Sequence, residues 1–235
     1  MLLNMIKSGD FSAQTIISLL LYIIIILISL SVHELSHGYA AYLCGDSTAR
    51  DHGRLTLNPL AHLDPIGTVM MLVFGFGYAK PVPINPRRFK HYKRDLCIVS
   101  LAGPFSNLLL AFFGTIVYYL FLIFLPISAK VSIPGEVWLS FCFSFIMANT
   151  SLCVFNLLPI PPLDGSRILS AALPGKIAYY YLKYERYIML AMFVLLYQGA
   201  LDNILTFLSR IVKRHFDSGW FHFYAVNQAD LRLRC

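Results

Sequence analysis

The sequence predicts an all-α polytopic membrane protein, a transmembrane helix bundle whose loops carry short β segments. Of its 235 residues, 57% are hydrophobic and 13% are charged, whereas a soluble domain is about 45–50% apolar and about 25% charged. A soluble globule of this length cannot bury so much apolar surface, and the same composition excludes intrinsic disorder. The net charge is +7. In a membrane protein such a cationic surplus usually lies in the cytoplasmic loops, so we expect no nucleic-acid partner.

Long apolar stretches predict the membrane spans. The first covers residues 11–43 and carries no charge from Ile16 to Val32, which is long enough to cross ~30 Å of hydrocarbon. Its length argues against a secretory signal peptide. The other predicted spans cover residues 96–125, 137–158 and 187–212. Polar residues within the last one leave open whether it is one span or a hairpin. Residues 1–212 are therefore the predicted membrane core, and residues 213–235 are a polar C-terminal tail.

The segments between the spans indicate the topology. Residues 66–76 are apolar but too short to cross a bilayer, so we expect a re-entrant segment. Residues 54–57 alternate between polar and apolar side chains and predict a short strand. Residues 44–95 carry eight Lys and Arg, whereas the loop at 126–136 carries one. The positive-inside rule places the first segment in the cytoplasm and the second outside.

Residues 33–37 read His-Glu-Leu-Ser-His and fit the pattern H-E-x-x-H. Residues four apart lie on one face of a helix, so His33 and His37 can bind one zinc ion. Glu34 would then stand beside the open coordination position as the general base for attack on a peptide carbonyl. The pattern alone is a weak signal, but ionisable side chains in an otherwise uncharged membrane helix are costly and indicate a function.

Zinc at a catalytic site needs a third protein ligand. The longer zincin pattern fails, because Ala40 and Leu43 stand where it requires Gly and His. The remaining glutamates lie in or beside loops, which leaves the aspartates Asp46, Asp51, Asp64, Asp95, Asp164 and Asp202. Asp164 is favoured because it follows a proline cluster that interrupts a span, and such breaks are tolerated where they line a polar site. Asp64, together with His62, is the second choice.

Residues 33–37 together with Asn156 to Gly165 (NLLPIPPLDG) resemble the site-2 protease family of intramembrane zinc metalloproteases, which pairs HExxH with NxxPxPxLDG far downstream. Two further stretches, Gly53 to Gly67 and Ala79 to Asn107, are similar to its bacterial members. The resemblance implies that His33, His37 and Asp164 bind the zinc and that Glu34 is the general base. It also implies that Asn156 holds the substrate or the developing oxyanion, for which a neutral amide donor is suited. A helix-packing hydrogen bond is the alternative for Asn156.

The implied function is intramembrane proteolysis: a zinc endopeptidase that cuts in or near transmembrane segments of other membrane proteins. It would work within the lipid bilayer, and the chain resembles a minimal, core-only member of the family, since no polar stretch here is long enough for a PDZ or CBS domain. The implied location is a bacterial inner membrane, with the active site toward the cytoplasm. Residues 54–57 and 81–85 resemble the family's membrane-associated β segment, whose edge could take an extended substrate. A non-catalytic metal-binding protein or transporter is the alternative, and the presence of Glu34 favours the enzyme.

Overall fold

The computed structural model describes residues 5–6, 9–74 and 79–199. The chain divides into two compact units, residues 1–189 and residues 190–235. The predicted tail at 213–235 lies outside the described residues, as do residues 200–212 of the last predicted span. The helices with described bounds are α1 (Ala13–Leu43), α2 (Thr48–Asp51), α3 (Pro65–Phe74), α4 (Tyr92–Phe124), α5 (Ile127–Lys130), α6 (Ile133–Asn156), α7 (Asp164–Ala172), α8 (Gly175–Lys183) and α9 (Glu185–Tyr197).

Three of the described helices, α1, α4 and α6, are long and apolar enough to cross a membrane. They contain 31, 33 and 24 residues, and a span requires roughly 20. Their outer faces remain apolar: Phe105, Phe112 and Phe113 on α4 are each 58% exposed. Side chains of this kind are stable when lipid rather than water covers them. The described chain is therefore an integral membrane helix bundle.

The ends of these helices follow from local capping. The α1 helix begins after Ser12, whose hydroxyl accepts a hydrogen bond from the Thr15 amide at 3.4 Å. The α4 helix begins four residues before the predicted span, because the Asp95 carboxylate accepts a hydrogen bond from the His91 amide at 2.8 Å. The α6 helix begins after Ser132, whose hydroxyl accepts from Gly135 at 3.3 Å. Each cap satisfies an amide that the first turn of a helix leaves unpaired.

The α4 helix is the centre of the first unit, since it packs against α1, α6 and α7. Small residues make the approach of α1 to α4 close. Ala40 and Ala41 of α1 lie in a buried cluster with Leu96 and Val99 of α4, and small side chains let membrane helices approach each other closely. This packing brings the polar residues of α1 against α4.

The short apolar segment after the first loop forms α3, which has ten residues. At 1.5 Å per residue it is about 15 Å long, or roughly half the thickness of the hydrocarbon layer. Asp64 caps its beginning: the Asp64 carboxylate accepts hydrogen bonds from the amides of Ile66 and Gly67 at 3.0 and 2.9 Å. The helix is therefore too short to span a membrane, and residues 75–76 of the predicted re-entrant segment lie outside the described residues.

The prediction of β segments at residues 54–57 and 81–85 is wrong, because neither segment forms a strand and the described residues contain none. Pro81 and Pro83 have no amide hydrogen for a β ladder. The Val82 amide, which lies between them, donates instead to a side-chain carboxylate. An edge for strand addition, as expected at these segments, is therefore not formed by the described residues.

Hydrogen bonds that belong to no β ladder hold residues 79–85 in place. The Arg54 guanidinium donates to the carbonyl oxygen of Lys80 at 2.8 Å. The Asn85 amide donates to the carboxylate of Asp46 at 2.6 Å, and the Lys80 amide donates to the carbonyl oxygen of His62 at 2.8 Å. These partners come from distant parts of the sequence, so residues 79–85 are fixed against the end of α1 without regular secondary structure.

Candidate metal centre

The two histidines of the H-E-x-x-H pattern lie one turn apart on α1 and face α4. Their Nε2 atoms are 3.1 Å apart, and both side chains are buried. Gly103 of α4 makes this burial possible. A Cβ atom at Gly103 would clash with Nε2 of His37 and would lie 2.6 Å from Cε1 of His33. The backbone of α4 therefore covers the two imidazole rings at a distance that leaves no room for a side chain.

Asp164 completes a three-residue cluster, although it lies 127 residues from His37 in the sequence. Its Oδ2 atom is 3.2 Å from Nε2 of His33 and 3.1 Å from Nε2 of His37. The three ligand atoms thus form a nearly equilateral triangle. For tetrahedral zinc with bonds of 2.0–2.1 Å, neighbouring ligand atoms are about 3.3 Å apart. The cluster therefore fits a zinc ion.

A tight non-helical turn between α6 and α7 brings Asp164 to the histidines. The α6 helix ends at Asn156, shortly before the proline cluster, and α7 begins at Asp164 itself. Gly165 allows the intervening turn to fold closely, because a Cβ atom there would clash with the carbonyl oxygen of Leu157. The hydroxyl of Tyr181 donates to the carbonyl oxygen of Pro159 at 2.9 Å, which fixes the turn from outside.

The far side of each imidazole ring is held by α4. Nδ1 of His37 lies 2.7 Å from the carbonyl oxygen of Val99, and Nδ1 of His33 lies 2.9 Å from Oδ1 of Asn107. Both partners are acceptors, so each Nδ1 carries the hydrogen and each Nε2 presents a lone pair to the cluster. Partners of this kind orient metal-binding histidines and fix their tautomer.

Glu34 lies next to His33 on α1, and a loop holds its carboxylate. The amide of Val82 donates to Oε2 of Glu34 at 2.9 Å. Pro83 confines Val82 to extended backbone, since a residue that precedes a proline avoids the helical region. The non-helical segment 79–85 therefore fixes the direction of the predicted general base.

Asn156 is bound within its own helix. Its Nδ2 atom donates to the carbonyl oxygen of Leu152, four residues earlier in α6, at 3.0 Å, so this bond lies within one helix and does not join two packed helices. An asparagine amide has a second Nδ2 hydrogen, which this hydrogen bond does not use.

The other candidate aspartates have structural partners. Asp46 is fully buried and accepts hydrogen bonds from Thr48 and from the Asn85 amide. Asp64 caps α3, and the neighbouring His62 lies 2.8 Å from the carbonyl oxygen of Thr56 through its Nε2 atom. Asp51 binds Ser47 and Arg50, and Asp95 binds Arg94 and the His91 amide. Asp202 lies outside the described residues.

Four groups that contact the site are not among the residues predicted from the sequence: Gly103, Asn107, the Val99 carbonyl and the Val82 amide. A signal existed for Asn107, because an amide side chain inside an apolar membrane helix is costly and needs a reason. Gly103 and Asn107 also lie in the stretch that resembles the bacterial site-2 proteases. The two backbone groups left no signal, since any residue type supplies them.

Comparison with known proteins identifies the family. The chain is 47% identical over 160 residues to "Putative zinc metalloprotease YwhC" of Bacillus subtilis, which covers 67% of this chain and 72% of that protein. The chain belongs to peptidase family M50, the site-2 protease family. The model of this family, described as Peptidase family M50, matches residues 125–198. That region contains Asp164 and Asn156. Membership makes the chain a metalloprotease whose metal is zinc.

More distant relatives agree with this family. The chain is 33% identical over 145 residues to "Putative zinc metalloprotease Rip2" of Mycolicibacterium smegmatis, covering 59% of this chain and 52% of that protein. It is 34% identical over 104 residues to "Putative zinc metalloprotease MJ0611" of Methanocaldococcus jannaschii, covering 44% of this chain and 49% of that protein. The matched region thus spans about half the length of these two relatives. No solved structure matches the chain.

Proposed function

We propose that this chain is an intramembrane zinc endopeptidase that hydrolyses peptide bonds in or near transmembrane segments of other membrane proteins. The observation that carries the proposal is the triangle of ligand atoms, with edges of 3.1, 3.1 and 3.2 Å, two of whose corners lie on a helix of membrane length. His33 and His37 lie ten and six residues before the end of α1 at Leu43. At 1.5 Å per residue the site is about 9–15 Å inside that end of the helix.

Zinc held by His33, His37 and Asp164 would supply Lewis-acid catalysis for hydrolysis of the amide bond. The carboxylate of Glu34 accepts a proton from the attacking water and returns it to the leaving nitrogen. The Val82 amide occupies Oε2 of Glu34, so we assign the proton transfer to Oε1. Asn156 is the proposed donor to the developing oxyanion, through the Nδ2 hydrogen that does not bind Leu152.

Water and substrate must reach a site that lies at membrane depth. The Asp164 side chain is 16% exposed, whereas those of His33 and His37 are 6% and 8% exposed. This difference supports access from the side of Asp164, along the irregular backbone that precedes α7. A helical substrate has its carbonyl groups bonded to amides four residues on. The segment to be cut therefore unwinds before its carbonyl enters the site.

The proposed location is a bacterial inner membrane, with the site nearer its cytoplasmic face. The charge difference between residues 44–95 and residues 126–136 supports this orientation. In this orientation α1 runs from outside to inside, and the site lies near the cytoplasmic end of α1. Substrates would be transmembrane proteins whose segments enter from the bilayer.

Replacing Glu34 with glutamine tests the function. The amide has nearly the same shape but cannot accept the proton, and losing a general base costs about 10²–10⁴-fold in rate. Membrane-fraction proteomics of cells that carry only the wild type or only Glu34→Gln should reveal intact transmembrane clients that accumulate in the variant. Glu136→Gln is the matched control, because Glu136 is exposed in the first turn of α6. Wild-type turnover of those clients by a zinc-loaded Glu34→Gln protein would refute the mechanism.

A further inference from the structure

One side chain of α4 contacts a proposed ligand on the side of its ring that faces away from the metal site. The proposed reaction gives this side chain no role. Asn107 is fully buried, and its Oδ1 atom lies 2.9 Å from Nδ1 of His33. The two residues are 74 positions apart in the sequence, so this contact joins α1 to α4. His37 has a corresponding contact, but with the backbone carbonyl of Val99. The orientation of His33 thus depends on a side chain, whereas that of His37 does not.

The chemistry of the contact determines which atom carries the hydrogen. Nε2 of His33 points to Asp164 and His37, so it must be unprotonated to bind a metal ion. In a neutral imidazole the hydrogen then resides on Nδ1, which needs an acceptor. Oδ1 of Asn107 is that acceptor. Without it, the tautomer with hydrogen on Nε2 would become more populated, and that tautomer has no lone pair for the metal.

Packing alone does not explain an asparagine at this position. The Nδ2 atom of Asn107 is buried and has no hydrogen-bond partner among the described residues. A buried amide hydrogen without a partner costs free energy, and an apolar side chain of the same size would avoid that cost. The part of Asn107 that the protein uses is therefore its acceptor oxygen.

We propose that Asn107 is a positioning residue that fixes the tautomer and ring orientation of His33 and thereby sets the affinity for zinc. This inference rests on the proposed function, because it requires His33 to be a ligand. Losing an outer partner of a metal-binding histidine typically weakens metal affinity by about 10–100-fold.

Zinc affinity of the purified full-length chain, measured by competition with a chromophoric chelator in detergent, provides the test. Asn107→Leu removes the acceptor at similar volume, and Asn107→Ala removes it without adding bulk. Both should weaken zinc binding by about 10–100-fold. Asn107→Asp keeps an acceptor oxygen in place and should stay within a few-fold of wild type. The visible spectrum of the cobalt-loaded protein should change in Asn107→Leu and Asn107→Ala, because the ring of His33 is no longer held.

Asn149→Leu is the matched control. Asn149 is equally buried, but its Nδ2 atom donates to the carbonyl oxygen of Phe145 in its own helix. Its replacement should leave zinc affinity and the cobalt spectrum unchanged even if it lowers thermal stability. Equal loss of zinc affinity in Asn149→Leu and Asn107→Leu, or in Asn107→Asp and Asn107→Leu, would overturn the inference.

His33→Ala separates this inference from the proposed function. If His33→Ala abolishes zinc binding while Asn107→Leu and Asn107→Ala bind zinc with wild-type affinity, Asn107 has no positioning role and the ligand assignment stands. If His33→Ala itself binds zinc with wild-type affinity, the proposed metal site fails, and the role of Asn107 fails with it.

Discussion

Replacing Gly103 with alanine tests how closely α4 covers the histidine pair, without changing any proposed ligand. The new Cβ atom would lie 2.6 Å from Cε1 of His33 and 2.6 Å from Cε1 of His37. Carbon atoms in contact are about 3.5–4.0 Å apart. The imidazole rings or the α4 backbone would therefore have to move by roughly 1 Å.

The size of this displacement sets the expected effect. Distances in a zinc site are reproduced within about 0.2 Å, so a movement of this size is several times larger than the site tolerates. Misplacement of a catalytic group by 1 Å can cost about 10²-fold in rate. We expect Gly103→Ala to bind much less than one zinc per chain and to lose at least about 10²-fold in the rate of cleavage.

The assay compares zinc content, thermal stability and cleavage of a transmembrane client for Gly103→Ala and Gly114→Ala. Gly114 also lies on α4, where a Cβ atom would meet Phe145 and Ile146 side chains at 3.0 and 3.1 Å. Both substitutions raise helix propensity by about 1 kcal/mol, so a weaker helix cannot explain a difference between them. Full zinc content and activity in Gly103→Ala would refute the close approach of α4 to the histidines.

Asp164→Ala should lose most of the zinc, while Asp64→Ala should keep it and lose only the cap of α3; the opposite pattern in metal analysis would reject the ligand assignment. Val82→Pro removes the amide that binds Glu34, whereas Val82→Ala keeps it. We therefore expect a larger fall in kcat for the proline variant at unchanged zinc content, and equal rates would show that this hydrogen bond does not position the base. A cysteine at Ser47 should react with an impermeant maleimide only from the cytoplasm and one at Ser132 only from outside, and the reverse labelling would invert the topology.

The absence of strands at residues 81–85 shows where local patterns lose their predictive value. The amides of Val82 and Asn85 bind the carboxylates of Glu34 and Asp46. Both acceptors come from α1 and its following loop, so their availability depends on how distant segments pack. A local sequence pattern contains no information about such competition for hydrogen bonds.

Asn107 carried a sequence signal as an amide in an apolar helix, but the side of α4 that faces the histidines was not predictable, for a related reason. In a soluble helix the buried face is the apolar face, and periodicity reveals it. In α4 the lipid-facing side is apolar as well, with Phe105 and Phe112 each 58% exposed. The sequence therefore predicts that α4 spans the membrane but not which of its residues face α1. The contacts of Asn107 and Val99 with the histidine rings depend on how α4 is rotated about its own axis relative to α1.

By itself, the sequence determined the membrane class and the chemistry of the site, because apolar composition and the four-residue spacing of His33 and His37 are local properties. It narrowed the third ligand to six aspartates, among which the preceding proline cluster and then the resemblance favoured Asp164. Only the tertiary structure brought Asp164 within 3.2 Å of both histidines and placed the backbone of Gly103 against the two imidazole rings. The physical reason is that a metal centre depends on distances between segments far apart in the chain, and helix packing sets those distances.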